Sequence, residues 1–341
     1  MLFIYIGVSN GFSGQAAATE LIIDGFRGQG IACSRQLLPH LDRTGRLSKC
    51  VGGLLFSIVL LRAYGDLLLR KLPAGSAIHL SLGQTRFALL RDGFALLCAT
   101  AFNSRSLRRV VALNASVFTG WARESWNARI FRWIIKRCDV VTCVGFSHAQ
   151  ALQDLGVPAS KIEVVPNICE YDGIEESELV EKQAVSNQPL EVLFLSSLTD
   201  TKGYPEYLEA LEMLSVEPGP RIHAVLCGPI MMDAYRKRFN TAEAATAWIE
   251  RKLLNINQSA RIQMEWIPGA RDSEKKALFE QAQIFVLPTQ YPVEAQPLVV
   301  IEAMAHGCAI VTTDVGELPS TVNTESATIL SSPTAASVKD A

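Results

Sequence analysis

The sequence predicts an α/β fold of two Rossmann-like domains facing each other across a cleft. Three observations carry this expectation. The chain has 341 residues, more than one hydrophobic core usually organises, so two domains of ordinary size are expected. Short β-branched or apolar runs alternate with longer segments of helical period, the pattern of a parallel sheet flanked by helices. A polar stretch from Glu170 to Gln188 follows the turn signal Pro166-Asn167 and divides the runs into two series.

The first series comprises Leu2 to Val8, Ala77 to Leu82, Val110 to Leu113, Val140 to Val144 and Lys161 to Val165. These runs define a first domain over residues 1–168, followed by a linker over 169–188. The second domain, 189–341, holds Leu190 to Leu195, His223 to Cys227, Arg261 to Trp266, Ile284 to Leu287 and Ala309 to Thr313. Ligands of open α/β sheets bind beyond the carboxyl ends of the strands. Chemistry is therefore expected just after each run. In the first domain those places hold Ser9 to Gln15, Gly83 to Arg86, Asn114 to Phe118 and Gly145 to Ser147. In the second they hold Ser196 to Gly203, Gly228-Pro229, Pro288 to Glu294 and Asp314 to Gly316.

Composition narrows the class further. With 49% hydrophobic and 19% charged residues, the chain is globular rather than disordered. Eight cysteines lie far apart without a C-x-x-C pair, which argues against a zinc site or a disulfide framework and fits core thiols in a reducing cytosol. The opening MLFIYIGVSNG reads as a buried strand, not a signal peptide. The longest apolar stretch, Val51 to Leu61, falls short of a bilayer span. We expect a cytoplasmic protein that is not integral to a membrane.

Net charge is −2, yet residues 1–168 carry 19 Lys+Arg against 9 Asp+Glu, and residues 169–341 carry 13 against 25. Two readings stand: drift of surface charge between domains, or contact of the basic half with something anionic such as the inner face of a membrane. The stretch WARESWNARIFRWIIKRC, Trp121 to Cys138, divides the same way. It is either a membrane-surface amphipathic helix or one whose Trp126, Ile130, Phe131 and Trp133 pack inward. Nucleic acid is excluded as a partner by the acidic second half and the lack of a recognition motif.

The segment FVLPTQYPVEAQPLVVIEAMAHGCAIVTTDVG is the most informative. A strand ends at Pro288, an acidic loop follows, a helix begins near Pro297 or Leu298, and Gly307 stops it. Free N–H groups and the positive dipole end at such a helix start suit a diphosphate. Glu294 and Glu302 flank this turn; on spacing alone they are either ligand contacts or, respectively, a dipole-stabilising and a solvated carboxylate.

The Glu-x7-Glu spacing, followed by Ala303-Met304-Ala305-x-Gly307 and Thr313-Asp314-Val315-Gly316, resembles the donor-site signature of glycosyltransferase family 4. The resemblance extends to LFLSSLTDTKG, VLCGP, VVPN and, more loosely, FSGQAAATELIIDGFRGQG. It implies a GT-B fold and transfer of a sugar from a nucleoside diphosphate sugar with retention of configuration, with no cofactor and no bound metal. By resemblance Glu294 lies by the sugar near the reaction centre, Lys202 neutralises the diphosphate, and Glu302 holds the ribose. Ala295, Gln296, Pro297 and Leu298 with Val299 orient sugar or phosphates, and Ser197, Gly228, Pro268 and Thr289 complete the donor site. Gly14 lets the first-domain loop approach the phosphates. The acceptor implied is a glycan or a lipid-linked saccharide of the cell surface.

The chain departs from the family at three places. Ser197 stands where an arginine is common, supplying a hydroxyl but no charge. Asn114, grouped with Glu294 and Lys202 as catalytic, stands where many members have a histidine, so it can bond a sugar hydroxyl but not titrate near neutrality. SSPTAASVKDA ends where the family would begin further helices, so the usual final helices are expected to be missing. Among the histidines His148 comes nearest the cleft, and it reads as a surface residue at a helix start. These departures leave a catalytically weak nucleotide-sugar-binding scaffold as the alternative, and an epimerase or hydrolase on the same fold as a second.

Overall fold

The computed structural model describes residues 2–7, 14–38, 48–101, 107–169, 171–183, 189–232, 235–322 and 325–341. The chain divides into two compact units, Met1–Pro166 and Asn167–Ala341. Each is built on its own six-stranded sheet, and every named strand pair is parallel.

The first unit contains β1 (Leu2–Gly7), α1 (Gly14–Gly28), β2 (Ala32–Leu37), α2 (Ser48–Leu69), β3 (Ala77–Ser81) and α3 (Arg86–Thr100). β4 (Arg108–Leu113), α4 (Trp126–Ile135), β5 (Val140–Cys143), α5 (Phe146–Asp154) and β6 (Ile162–Val164) follow. Its strand order is β2-β1-β3-β4-β5-β6. Central strands such as β1 and β3 are buried almost throughout, as expected where helices cover both sides of a parallel sheet. Ile4, Ile6, Ile78, Leu80, Val111 and Val141 form its core. Thr85 starts α3 and Ser125 starts α4, each accepting a hydrogen bond from the amide three residues on, at 3.2 Å. Such caps satisfy donors that a helix start leaves open.

The second unit contains α6 (Glu176–Gln183), β7 (Leu190–Leu195), α7 (Tyr204–Ser215), β8 (Ile222–Cys227), α8 (Ala242–Ile256), β9 (Ile262–Ile267) and α9 (Asp272–Gln281). β10 (Ile284–Val286), α10 (Leu298–Ala305), β11 (Ala309–Thr313), α11 (Leu318–Thr321), β12 (Ala327–Leu330) and α12 (Ala335–Asp340) complete it. Its strand order is β12-β11-β10-β7-β8-β9. Counting within the unit, this is the 3-2-1-4-5-6 order of the doubly wound dinucleotide-binding fold, whose crevice opens where the order reverses. The reversal here falls between β7 and β10.

Each expected strand run coincides with a strand, and two further strands, β2 and β12, each occupy one edge of a sheet. The stretches expected as linker and as chain end each hold a helix, and the expectation for His148 is corrected. The supposed linker over 169–188 holds α6, and Lys182 at its end donates to the carbonyls of Phe279 (2.9 Å) and His306 (2.6 Å). These carbonyls close α9 and α10, so Lys182 serves two helix ends rather than solvent. The segment SSPTAASVKDA forms α12, with a reciprocal cap between Thr334 and Ser337. It packs on α7 and is pinned by Lys339 to Glu217 at 3.0 Å. His148 is 1% exposed, not a surface residue, because its Nε2 bonds Ser116 Oγ at 2.7 Å and its ring meets Phe118 edge-on.

Seven cysteines are described and all are free thiols. Among the described residues no helix is long and apolar enough to cross a membrane.

Candidate active site

The crevice of the second unit is built by two loops at the reversal point. The loop after β7 turns through a short 3-10 helix, Asp200–Lys202, and ends at Gly203 with φ +85°. A Cβ there would lie 2.3 Å from the Pro288 carbonyl oxygen, so only glycine allows the lysine turn to lie against the end of β10. The loops are joined by Gln290 N–H to the Thr201 carbonyl (2.6 Å) and by Thr289 Oγ1 to the same carbonyl (3.4 Å).

Within this frame Lys202 Nζ makes an ion pair with Glu294 Oε2. The same carboxylate oxygen accepts from Thr289 Oγ1 at 3.2 Å. Lys202 also sits 5.0 Å from the centroid of the Tyr291 ring, and Tyr235 meets Tyr291 edge-on at 5.5 Å. Glu294 is buried and the Lys202 side chain is only 16% exposed, so the lysine is not a solvated turn residue. Its charge is held in place at a strand end, where low dielectric strengthens interaction with an anion.

The loop bearing Glu294 is fixed from the other side by the turn after β11. Gly316 has φ +61°, and a Cβ on it would come within 2.4 Å of the Glu294 carbonyl oxygen. The Glu317 amide donates to the Ala295 carbonyl at 2.8 Å, and Thr313 Oγ1 bonds the Thr289 carbonyl at 2.6 Å. Gly228, with φ +146°, brings the end of β8 against Ser196, where any Cβ would strike the Ser196 carbonyl.

Helix α10 begins at Leu298 with Pro297 as its N-cap and no side-chain cap, close to the expected start. Of the four positions from Ala295 to Leu298, Pro297 has no N–H to donate. Gln296 spends its side chain within the unit: Oε1 accepts from Asn167 N (2.7 Å) and Nε2 donates to Thr321 Oγ1 (3.0 Å). Val299 packs against the core, so its contribution to a ligand is limited to backbone. Ala295 is buried.

Glu302, one turn into α10, is 1% exposed and ion-paired with Lys275 Nζ of α9 at 2.6 Å. It is therefore not a solvated carboxylate. Ser197 is half-buried beside the lysine turn and Pro268 is exposed just after β9.

In the first unit Asn114 follows β4 and its Nδ2 bonds Ser81 Oγ at 3.4 Å. Gln84 links the same loops, donating to the Ala115 carbonyl at 2.7 Å and accepting from Phe118 N at 2.9 Å. Gly14 opens α1, and the loop before it, residues 8–13, lies outside the described residues. The structure thus gathers Lys202, Thr289, Glu294 and Ala295 into one cluster, with Ser197 and Gly228 beside the turn. It adds Tyr291, Tyr235, Lys275 and Glu317, which spacing gave no reason to choose; only the position of Tyr291 inside the acidic loop was a signal.

Residues 175–341 match the family model described as Glycosyl transferases group 1, and residues 58–171 match Glycosyltransferase Family 4. A Klebsiella pneumoniae 41.2 kDa protein of the cps region is 20% identical over 207 residues, covering 59% of this chain and 51% of that protein. A Salmonella typhimurium protein, WcaL, named as a candidate colanic acid biosynthesis glycosyltransferase, is 25% identical over 199 residues, covering 56% and 43%. The chain spans about half the length of these curated relatives.

Among solved structures, Anabaena HepE in complex with UDP is 14% identical with TM-score 0.65, covering 100% of this chain and 88% of that one. Sucrose-phosphate synthase from Thermosynechococcus elongatus is 16% identical with TM-score 0.64, covering 99% and 88%. At such identities the likeness establishes fold. The fold is thus that of the GT-B glycosyltransferases, and the family models of group 1 and of family 4 match its second and first units respectively.

Proposed function

We propose that the chain moves a sugar from a nucleoside diphosphate sugar to a glycan or lipid-linked acceptor in cell-surface polysaccharide synthesis, retaining anomeric configuration and using no bound metal. The observation that carries this reading is the buried Lys202–Glu294 pair at the reversal point of the second sheet. The second unit is the donor side and the first unit the acceptor side, working at the inner face of a membrane. HepE holding UDP and WcaL in colanic acid biosynthesis support the reading.

The bond between the anomeric carbon and the phosphate oxygen breaks, and its electron pair leaves with the diphosphate. Lys202, exchanging Glu294 for phosphate, stabilises that charge where it develops. The N–H groups at the start of α10 add dipole stabilisation. Freed of the lysine, Glu294 faces the sugar and balances the positive charge growing at its anomeric carbon, while the acceptor hydroxyl bonds to that carbon and passes its proton to the departing diphosphate oxygen. Glu302 accepts from the ribose, and Asn114 orients a sugar hydroxyl.

Screening nucleotide sugars for thermal stabilisation identifies the donor, because a ligand that binds only the folded state raises stability by mass action. Turnover of that donor by K202A and E294Q then tests the site: activity equal to wild type in both refutes it. One observation favours a second reading, a binding scaffold of weak activity. Lys202 is already neutralised by Glu294 and Ser197 adds no charge. Stabilisation without product formation for any acceptor would select that reading.

A further inference from the structure

The first unit turns a stripe of large apolar side chains outward. On α3, Phe87, Leu90 and Phe94 are 48%, 59% and 50% exposed. Their i, i+3, i+7 spacing places them on one face of the helix. On α4, Trp126 and Trp133 are 69% and 40% exposed, also seven residues apart. The stripes adjoin: a Cβ added at Gly93 would lie 3.6 Å from the Trp133 ring. On the other flank the Tyr64 ring of α2 meets Phe94 edge-on at 4.8 Å, and Leu61 of α2 is 68% exposed. Of the two readings of this stretch, inward packing fails for Trp126 and Trp133; Phe131 alone of the three aromatics on α4 is fully buried.

The charges around this ridge have one dominant sign. Arg62 of α2, Arg86 of α3, Arg129 of α4 and Lys136 just beyond it are exposed, and Arg137 stacks on Trp133 with its guanidinium 3.9 Å from the ring centroid. The acidic residues on or just before these helices are three. Asp92 is fully buried against Arg91, Glu124 faces Arg129 at 3.6 Å, and Asp66 remains exposed on α2.

We infer that this ridge docks on an anionic lipid bilayer, with Phe87, Leu90, Phe94, Trp126 and Trp133 entering the headgroup boundary and the arginines meeting lipid phosphates. A large apolar patch exposed on a monomer marks an interaction surface. Tryptophan and phenylalanine interleaved with basic residues suit the interface in particular: the rings sit at headgroup depth and the long basic side chains reach outward to phosphate. An acidic protein would meet the charges but gives no reason for four exposed aromatic rings on adjoining helices. The inference deepens the proposed membrane-face location and rests on that reading for its purpose. Its measurement needs no turnover.

The test is co-sedimentation of the full chain with vesicles of phosphatidylcholine alone and of equal parts phosphatidylcholine and phosphatidylglycerol. Binding to the mixed vesicles is expected, weakening as salt rises. Replacing both Leu90 and Trp126 by serine lowers that binding by more than about tenfold, and R86Q or R129Q lowers it about fivefold each. Circular dichroism and thermal unfolding of the variants stay at wild-type values, showing that the fold is intact. Wild-type chain that stays in the supernatant, binds both vesicle types equally, or binds undiminished after L90S/W126S overturns the inference, whatever the outcome of the transferase assays.

Discussion

The strand ends of the two units differ in how they handle charge. In the second unit two lysines face two carboxylates there, Lys202 with Glu294 and Lys275 with Glu302, both carboxylates largely buried. In the first unit the loop after β4 holds neutral groups, Asn114 with Ser81 and Ser116 with His148, and the one buried ion pair near a described strand end, Arg91 with Asp92 beside Gly83, joins neighbours on a single helix, although that unit carries the excess of basic residues. Its basic side chains line helices instead. Charge held at a strand end can act on a bound anion; charge spread on helices can act only on a surface. The lesson is that net charge of a domain does not locate its anion site.

The largest expected effect sharpens this contrast. K202A should reduce donor turnover by about 10²–10³-fold, the range for removing one preorganised stabilising group, measured as kcat/KM. An equal loss from N114A would erase the distinction between units. Next, K275A strips buried Glu302 of its lysine and should lower unfolding stability by about 3 kcal/mol, the cost of breaking a buried pair, measured by denaturant titration.

A comparable effect belongs to the first unit. Burial holds His79 down to about 4 from 6.5. The unfolded chain takes up that proton below about pH 6.5 and the folded chain only below about 4. Stability present above pH 6.5 is therefore lost as pH falls toward 4, by up to about 3 kcal/mol. Denaturation of wild type beside H79L across this window checks it: the difference between them should change with pH, and a constant difference refutes it. The smallest effect is N114A, about threefold to tenfold on transfer to acceptor with donor KM unchanged, as for one hydrogen bond.

The central strands were legible because parallel strands covered on both faces must be near-continuously apolar, as LFIYIG and the VLFL of β7 are. Two of the four edge strands, β2 and β12, were not. β2, ACSRQL, is mostly exposed or half-buried and carries Arg35, so no period of two or apolar run marks it. β12 is short and ATIL also reads as helix or loop. At the site, Lys202 and Glu294 were legible through local turn and helix-start chemistry, but their pairing was not, since 92 residues separate them. Lys275 and Tyr235 reach the site only through tertiary packing. The burial of Glu302 likewise depends on α9 lying beside α10, which no local pattern encodes.

The Lys202–Glu294 pair carries a further consequence. With an internal carboxylate already seated on it, the lysine resembles an ion-exchange resin loaded before use: an arriving diphosphate displaces a counter-ion instead of filling a vacancy. Single carboxylates and chloride then compete poorly, since each offers no more charge than the occupant, whereas a diphosphate brings more. Selectivity for polyvalent anions would follow from the pre-existing occupant itself.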